Sequence, residues 1–286
     1  MRSRLSLYGL TFSLPLLVWQ LLFFVFPLVF LVALSFWTVK NFTMTPDFDT
    51  VNWVTMFSRG VFWQAYGTTF ALATVAAALT SALAFPCAYA IAFKLSDTAR
   101  RWAVFLMVIP FFTSYLVRVY SWQIFLSDAG IVNVMLGYVG LGPYGMLNTK
   151  GATLVGYLTL AFPLVVLLQL FSLAFIDRNL IEAAHNMRCG RMRTVFEVVI
   201  PSARVGLVIA ALFAFILSFG DFVSPIYLGG GDPTTLSILI TDTTKSGQQW
   251  PRAAVIALTM IATLLVVAFV AVRFAYAGRA SKEVGK

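Results

Sequence analysis

The stretch that decides the reading is Asn179–Pro201, NLIEAAHNMRCGRMRTVFEVVIP. It is charged, with Glu182, Arg188, Arg191, Arg193, Glu197 and the chain's one histidine, His185, yet it lies between two long apolar runs. Its surroundings show why that is unusual. Of the 286 residues 60% are hydrophobic and 11% charged, against roughly 25% charged in a soluble domain. Most of the chain therefore does not face water. Six stretches reach the roughly 20 apolar residues that a membrane-spanning helix needs: Leu10–Phe36, Thr68–Phe93, Ala103–Leu126, Ala152–Phe175, Val205–Tyr227 and Ala253–Tyr276. The first is too long for a signal peptide and reads as a retained span. The expectation is an all-α, six-span polytopic membrane domain covering residues 1–286.

The formal charge of +9 would suggest nucleic acid on a soluble surface. Here it reflects topology. Fourteen of the 20 Lys and Arg residues fall in one alternating set of segments, among them Arg2, Arg4, Lys94, Arg100, Arg178 and Arg279. Five, such as Lys40 and Arg252, fall in the other set, and Arg118 lies inside a span. Positive-inside bias then places both termini and the 94–102 and 176–204 loops in the cytoplasm. Cys87 and Cys189 share no metal or disulfide spacing. A single histidine argues against His-based metal sites and proton relays. There is no Gly-x4-Gly-Lys-Ser/Thr phosphate loop, so the chain is not expected to bind a metal or to hydrolyse ATP itself. No nucleic-acid partner is expected.

Within Asn179–Pro201, Asn179 can cap a helix with Glu182 reaching back to it. A break is expected near Cys189-Gly190. A second short helix then places Met192, Val195, Phe196 and Val199 on one face, and Pro201 ends it. The pair reads as an amphipathic element held on anionic lipid, or as one gripped by a soluble partner. The spacing resembles the EAA signature of ABC importer permeases, in which Glu182, Ala183, Ala184, Val198, Ile200 and Pro201 match. The family's usual glycine is replaced by Arg188, and a glycine follows at Gly190, so the resemblance implies a bend that is displaced or differently shaped. Pro110–Asn133 and Ser218–Gly230 are similar to segments of permeases in the spermidine/putrescine importer group.

That resemblance implies the type I importer permease (MetI-like) fold, a second permease subunit, two cytoplasmic ATPase subunits that carry ATP and Mg, and a periplasmic substrate-binding protein. It implies ATPase coupling through Glu182, Ala183, Ala184, Arg188, Gly190, Arg191 and Pro201. A polyamine is the implied solute, with an opine, an amino-acid derivative or an inorganic ion as alternatives. A secondary transporter or a membrane scaffold would need other evidence.

Two ionisable residues fall deep inside expected spans, and such residues are functional by default. At 1.5 Å per residue, Arg118 and Asp221 lie about 22 and 24 Å from the inner ends of their spans, hence at similar depth. Either they form a salt bridge, or one faces the solute path: Asp221 for a cation, Arg118 for an anion. Tyr115, Tyr120 and Trp122 could offer aromatic surface to an ammonium.

Overall fold

The computed structural model describes residues 7–40, 42–231 and 234–277. Arg2, Arg4, Arg279, Lys282 and Lys286 of the charge argument lie outside the described residues. The chain is organised as two compact units, residues 1–63 with 239–261 and residues 64–238 with 262–286.

In the first unit, α1 (Leu7–Gln20) continues through a π-helical turn, Leu21–Val25, into α2 (Phe26–Ser35). Pro27 explains the wide turn. It brings no N–H to the ladder, and the π-turn places the defect where one extra residue absorbs it. The most apolar part of Phe12–Ser35 has no buried residue, as expected of a helix surrounded by lipid or by another subunit. A small hairpin follows, β1 (Thr38–Lys40) against β2 (Thr43–Thr45), then α3 (Val51–Phe57). Asn52 closes the end of α2 by donating Nδ2 to the carbonyls of Ser35, at 3.1 Å, and Trp37, at 2.7 Å. The hairpin is the departure from a purely α chain.

The remaining helices are α4 (Gly60–Phe93), α5 (Asp97–Val108), α6 (Tyr115–Leu126), α7 (Ile131–Gly137), α8 (Lys150–Ala174), α9 (Arg178–Asn186), α10 (Arg191–Thr194), α11 (Ile200–Gly220), α12 (Val223–Tyr227), α13 (Leu236–Lys245) and α14 (Trp250–Tyr276). The second unit is built on α8 and α11, its most extensive packing pair. Small residues let these helices approach. A Cβ at Gly206 would lie 2.2 Å from Ser172 Oγ, and that hydroxyl donates to the Ala203 carbonyl at 3.1 Å. Such contacts replace the hydrophobic drive that lipid cannot supply. Thr69 Oγ1 accepts the Leu236 amide at 2.9 Å, which ties the start of α13 to α4.

Among the described residues, five helices are long and apolar enough to cross a membrane: Phe12–Ser35, Gly60–Phe93, Lys150–Ala174, Arg191–Gly220 and Trp250–Tyr276. The expected third span, Ala103–Leu126, is not one helix. Asp97–Phe112 and Tyr115–Gly137 meet at 96°. Pro110 tightens Ile109–Phe112 into a 3-10 turn, and Thr113 (ψ 142°) and Ser114 (ψ 128°) are extended. The fifth expected span, Val205–Tyr227, is also redrawn: its helix starts at Arg191 and stops at Gly220. These two breaks place the charged residues of the membrane region.

Candidate functional site

The charged stretch folds as a sharp bend between α9 and the helix that begins at Arg191. Asp177, not Asn179, caps α9: its Oδ1 accepts the Asn179 amide at 3.0 Å. Asp177 has the required extended backbone, whereas Asn179 is already helical. Glu182 is exposed and points to no cap. The helix ends at Asn186, Met187 caps it, and the next residue, Arg188, has φ +60°. The Arg188 amide donates to the His185 carbonyl (2.9 Å) and the Cys189 amide to the Ala184 carbonyl (3.0 Å). This is the Schellman closure, in which a left-handed residue, usually glycine, satisfies the last carbonyls. The bend therefore has not moved to Gly190. Gly190 is extended (φ −65°, ψ 155°) and caps α10, and a Cβ there would meet nothing within 4 Å.

Pro201 does not end the second helix either. α10 passes through a π-turn, Val195–Val199, into α11, and the Ile200 amide reaches the Val195 carbonyl. The proline is thus accommodated as Pro27 is. The extra residue in the turn also splits the expected apolar face. Val199 is buried and Val195 half-buried, while Met192 and Phe196 are 73% and 64% exposed.

Between the two arms of the bend lies a groove of about 390 Å³, whose walls include Ala183, Ala184, Met187, Arg188, Arg193 and Glu197. Arg193 Nε bonds Glu197 Oε1 at 2.8 Å. The side chains of Glu182, His185, Arg188 and Arg191 have no hydrogen bond or ion pair among the described residues. Small side chains, unpaired charges and exposed Met187 and Met192 give a surface suited to another protein.

At the other end of this helix, Asp221 follows the last residue of α11 and is 8% exposed. It does not pair with Arg118. Oδ1 accepts the Val223 amide (3.0 Å), and Oδ2 accepts the Ser224 amide (3.2 Å), Ser224 Oγ (2.5 Å) and Tyr115 Oη (2.6 Å). Tyr115 Oη and Ser224 Oγ also touch each other. Every donor is neutral, and the carboxylate fastens the start of α12 to the start of α6. Gly156 of α8 makes room for this corner: a Cβ there would stand 2.3 Å from Ser224 Oγ. Tyr157, fully buried, carries a hydroxyl without a partner.

Arg118 finds a different task. Pro163 offers no N–H to the Thr159 carbonyl four residues earlier, and Arg118 Nη1 donates to that oxygen at 3.2 Å. Its guanidinium stands 5.7 Å over the Tyr115 ring, and its Nε is unpaired. Tyr115 therefore stands between the two charges, touching Arg118 with its ring and Asp221 with its hydroxyl. Tyr120 packs on Tyr227, with ring centroids 5.0 Å apart. Trp122 packs on Phe125 and against the cluster of Val119, Leu126, Ala152 and Leu228. The expected salt bridge fails because both depths were counted along unbroken helices, while Asp221 lies beyond the end of its helix and α6 begins only at Tyr115. Ser224, Thr159, Tyr157 and Gly156 were not anticipated. The D-x-x-S spacing of Asp221 and Ser224 was the legible signal for the first.

Residues 81–281 match the family described as binding-protein-dependent transport system inner membrane component. Relatives include the spermidine/putrescine transport system permease protein PotB of Haemophilus influenzae, 27% identical over 87% of this chain and 88% of that protein. The PotB of Escherichia coli is 25% identical over 85% and 88%. The sulfoquinovosyl glycerol transport system permease protein SmoG of Agrobacterium fabrum is 27% identical over 88% and 85%. Among solved structures, a bacterial ABC transporter involved in the import of the acidic polysaccharide alginate superposes with a TM-score of 0.72 at 19% identity, covering 98% of this chain and 96% of that one. The apolar helices and the matched region agree in making this a multi-pass inner-membrane protein and a transport component rather than an enzyme. The chain belongs to the family of binding-protein-dependent transport system inner membrane components, the permease subunits of ABC importers.

Proposed function

We propose that this permease forms its share of a solute path and is driven through the 178–201 bend. A cytoplasmic ATPase subunit seats in the groove between α9 and α10, with Ala183 and Ala184 permitting close approach and Glu182, Arg188 and Arg191 meeting its polar groups. The single observation that carries this reading is the groove itself, a bent, charged and unsatisfied surface on an otherwise apolar chain. The continuous helix from Arg191 to Gly220 links that surface to the Asp221 corner, about 45 Å at 1.5 Å per residue. A second permease subunit and a periplasmic binding protein complete the assembly. Both termini and residues 176–204 lie in the cytoplasm, as the distribution of Lys and Arg supports. With Cys87→Ala and Cys189→Ser as background, Ser202→Cys then reacts with an impermeant thiol reagent only after the membrane is opened. Labelling in intact spheroplasts reverses the orientation.

The solute is a polyamine, a reading supported by the spermidine/putrescine relatives that align over most of the chain. A second reading is favoured by a specific observation: Asp221 is buried and already accepts from four neutral donors inside the fold, so it offers little to an ammonium in this conformation. A saccharide-like solute, as the names of the sulfoquinovosyl glycerol and alginate systems suggest for those proteins, needs no free carboxylate in its path. Uptake of radiolabelled spermidine and putrescine into proteoliposomes holding the permease pair, the ATPase and the binding protein tests the first reading. ATP-dependent accumulation supports it, and accumulation of a sugar but of neither amine overturns it.

A further inference from the structure

We propose that the pocket where α4, α8 and α9 meet binds the headgroup of an anionic phospholipid, with Arg100 and Arg178 as its phosphate-binding pair. The pocket, of about 220 Å³, is lined on its apolar side by Phe93, Leu170, Phe171 and Ala174, and both arginines reach it. Arg100 is already fixed. Its Nε donates to the Ile91 carbonyl at 3.0 Å and its Nη2 to the Ala92 carbonyl at 2.8 Å, two of the orphan carbonyls at the end of α4. Nη1 is left over. Arg178, at the first position of α9, makes no side-chain hydrogen bond or ion pair among the described residues. The nearest acid in sequence, Asp177, turns Oδ1 to the Asn179 amide and does not pair with it.

Two guanidinium groups beside a small pocket call for an anion, and the paired donors of arginine match the oxygens of a phosphate. The walls decide between a free phosphate and a lipid. A free ion has no use for Phe93, Leu170 and Phe171, whereas a phospholipid places its phosphate at the ends of spanning helices and its chains along them. Phe171, 61% exposed, and Phe175, 89% exposed, offer apolar surface just outside. The volume is below the roughly 300–1,000 Å³ of pockets that enclose a whole drug-sized ligand, so the headgroup enters and the chains remain outside. Basic pockets between membrane helices are known to select such headgroups. The proposal depends neither on the transported solute nor on which partner fills the groove at the bend.

The test is native mass spectrometry of the full chain in a non-ionic detergent. It is titrated with dioleoyl phosphatidylglycerol, with dioleoyl phosphatidylcholine of the same chains, and with glycerol phosphate, which has none. The expected result is one phosphatidylglycerol retained in preference to phosphatidylcholine, with Arg178→Gln, an exposed position, lowering that preference about fivefold. Ala174→Phe, which fills the pocket, abolishes retention while the protein stays monodisperse. Equal retention of the two lipids, or an unchanged preference in Arg178→Gln, overturns the proposal and leaves the pocket to an acidic protein segment. Displacement of the lipid by glycerol phosphate at comparable concentration also overturns it, in favour of a free anion.

Discussion

The two ends of the Arg191–Gly220 helix carry the chain's two most informative polar regions, and they are built on opposite principles. At Asp221 the carboxylate has four donors within the same unit, and the residue is buried. At the bend Glu182, Arg188 and Arg191 are exposed and have no partner among the described residues. A buried polar group must be satisfied where the chain folds, because leaving it bare costs roughly 1–3 kcal/mol. An exposed one can wait. The corner therefore reads as scaffold that fixes the relation of α6, α8 and α12, and the bend as a surface awaiting another protein.

The largest expected effect lies at the bend. Ala184→Arg fills the groove, and uptake falls to background while the protein still inserts and ATP hydrolysis no longer depends on the binding protein. Normal uptake with normal ATPase copurification would mean that the groove is not a docking surface. The corner should respond in stability first. Asp221→Ala strands the Tyr115 hydroxyl and the Ser224 amide and lowers stability in detergent by roughly 2–3 kcal/mol, with Asp221→Asn milder. Because Arg118 serves the Thr159 carbonyl instead, combining Asp221→Asn with Arg118→Gln should leave the protein less stable than either single variant, with a departure from strict additivity of about 0.5 kcal/mol or more because both residues touch Tyr115. Recovery in the double variant would restore the salt bridge that the geometry lacks.

A smaller effect separates the two candidate hinges. Valine is tolerated in the left-handed region even less well than other side chains, so Arg188→Val should destabilise the bend beyond the penalty that Arg188 already bears at φ +60°. Gly190→Val, in extended backbone with open space, should cost less than about 1 kcal/mol. Arg188→Gly should stabilise, since glycine adopts φ +60° freely. The reverse ranking would put the hinge at Gly190.

The smallest effect is outside the membrane helices. Hydrogen bonds from Thr38 and Thr45, followed by the charge of Lys40, hold the Asp47 carboxyl below its ordinary range. A lowered folded value means that the hairpin's stabilisation is present above the usual carboxylate range and is lost as pH falls through the folded value. Hydrogen exchange of residues 38–45 should accelerate only at that acid end, and Asp47→Asn should remove the pH dependence. An unchanged acid profile in that variant would contradict the assignment.

How much was legible follows from what each signal averages over. The apolar runs around α4, α8 and α14 mark spans because hydropathy sums over many residues. The break after Phe112 was hidden by the same averaging: Thr113 and Ser114 interrupt the backbone without interrupting the apolarity. Gly190 attracted the hinge because glycine is the default left-handed residue, yet closure at Ala184 and His185 requires the left-handed turn at position 188, whatever the side chain. Pro201 was expected to stop a helix, and a π-turn absorbed it, as another does before Pro27. The pairing of Arg118 with Asp221 failed because equal depth presupposed straight helices. At the bend the E-A-A spacing of Glu182 to Ala184 was readable, while the groove it borders came only with the turn at Arg188.

The central claim, that the bend is the surface gripped by the ATPase, is tested most directly by thiol cross-linking in membranes. Ala183→Cys, in a chain with Cys87→Ala and Cys189→Ser, is treated with a short homobifunctional reagent alongside an ATPase subunit carrying single surface cysteines. The account predicts a permease–ATPase product that depends on position and disappears when the control cysteine is placed at exposed Phe269 of α14. No product at Ala183→Cys with any ATPase cysteine, in membranes where uptake is intact, would contradict it.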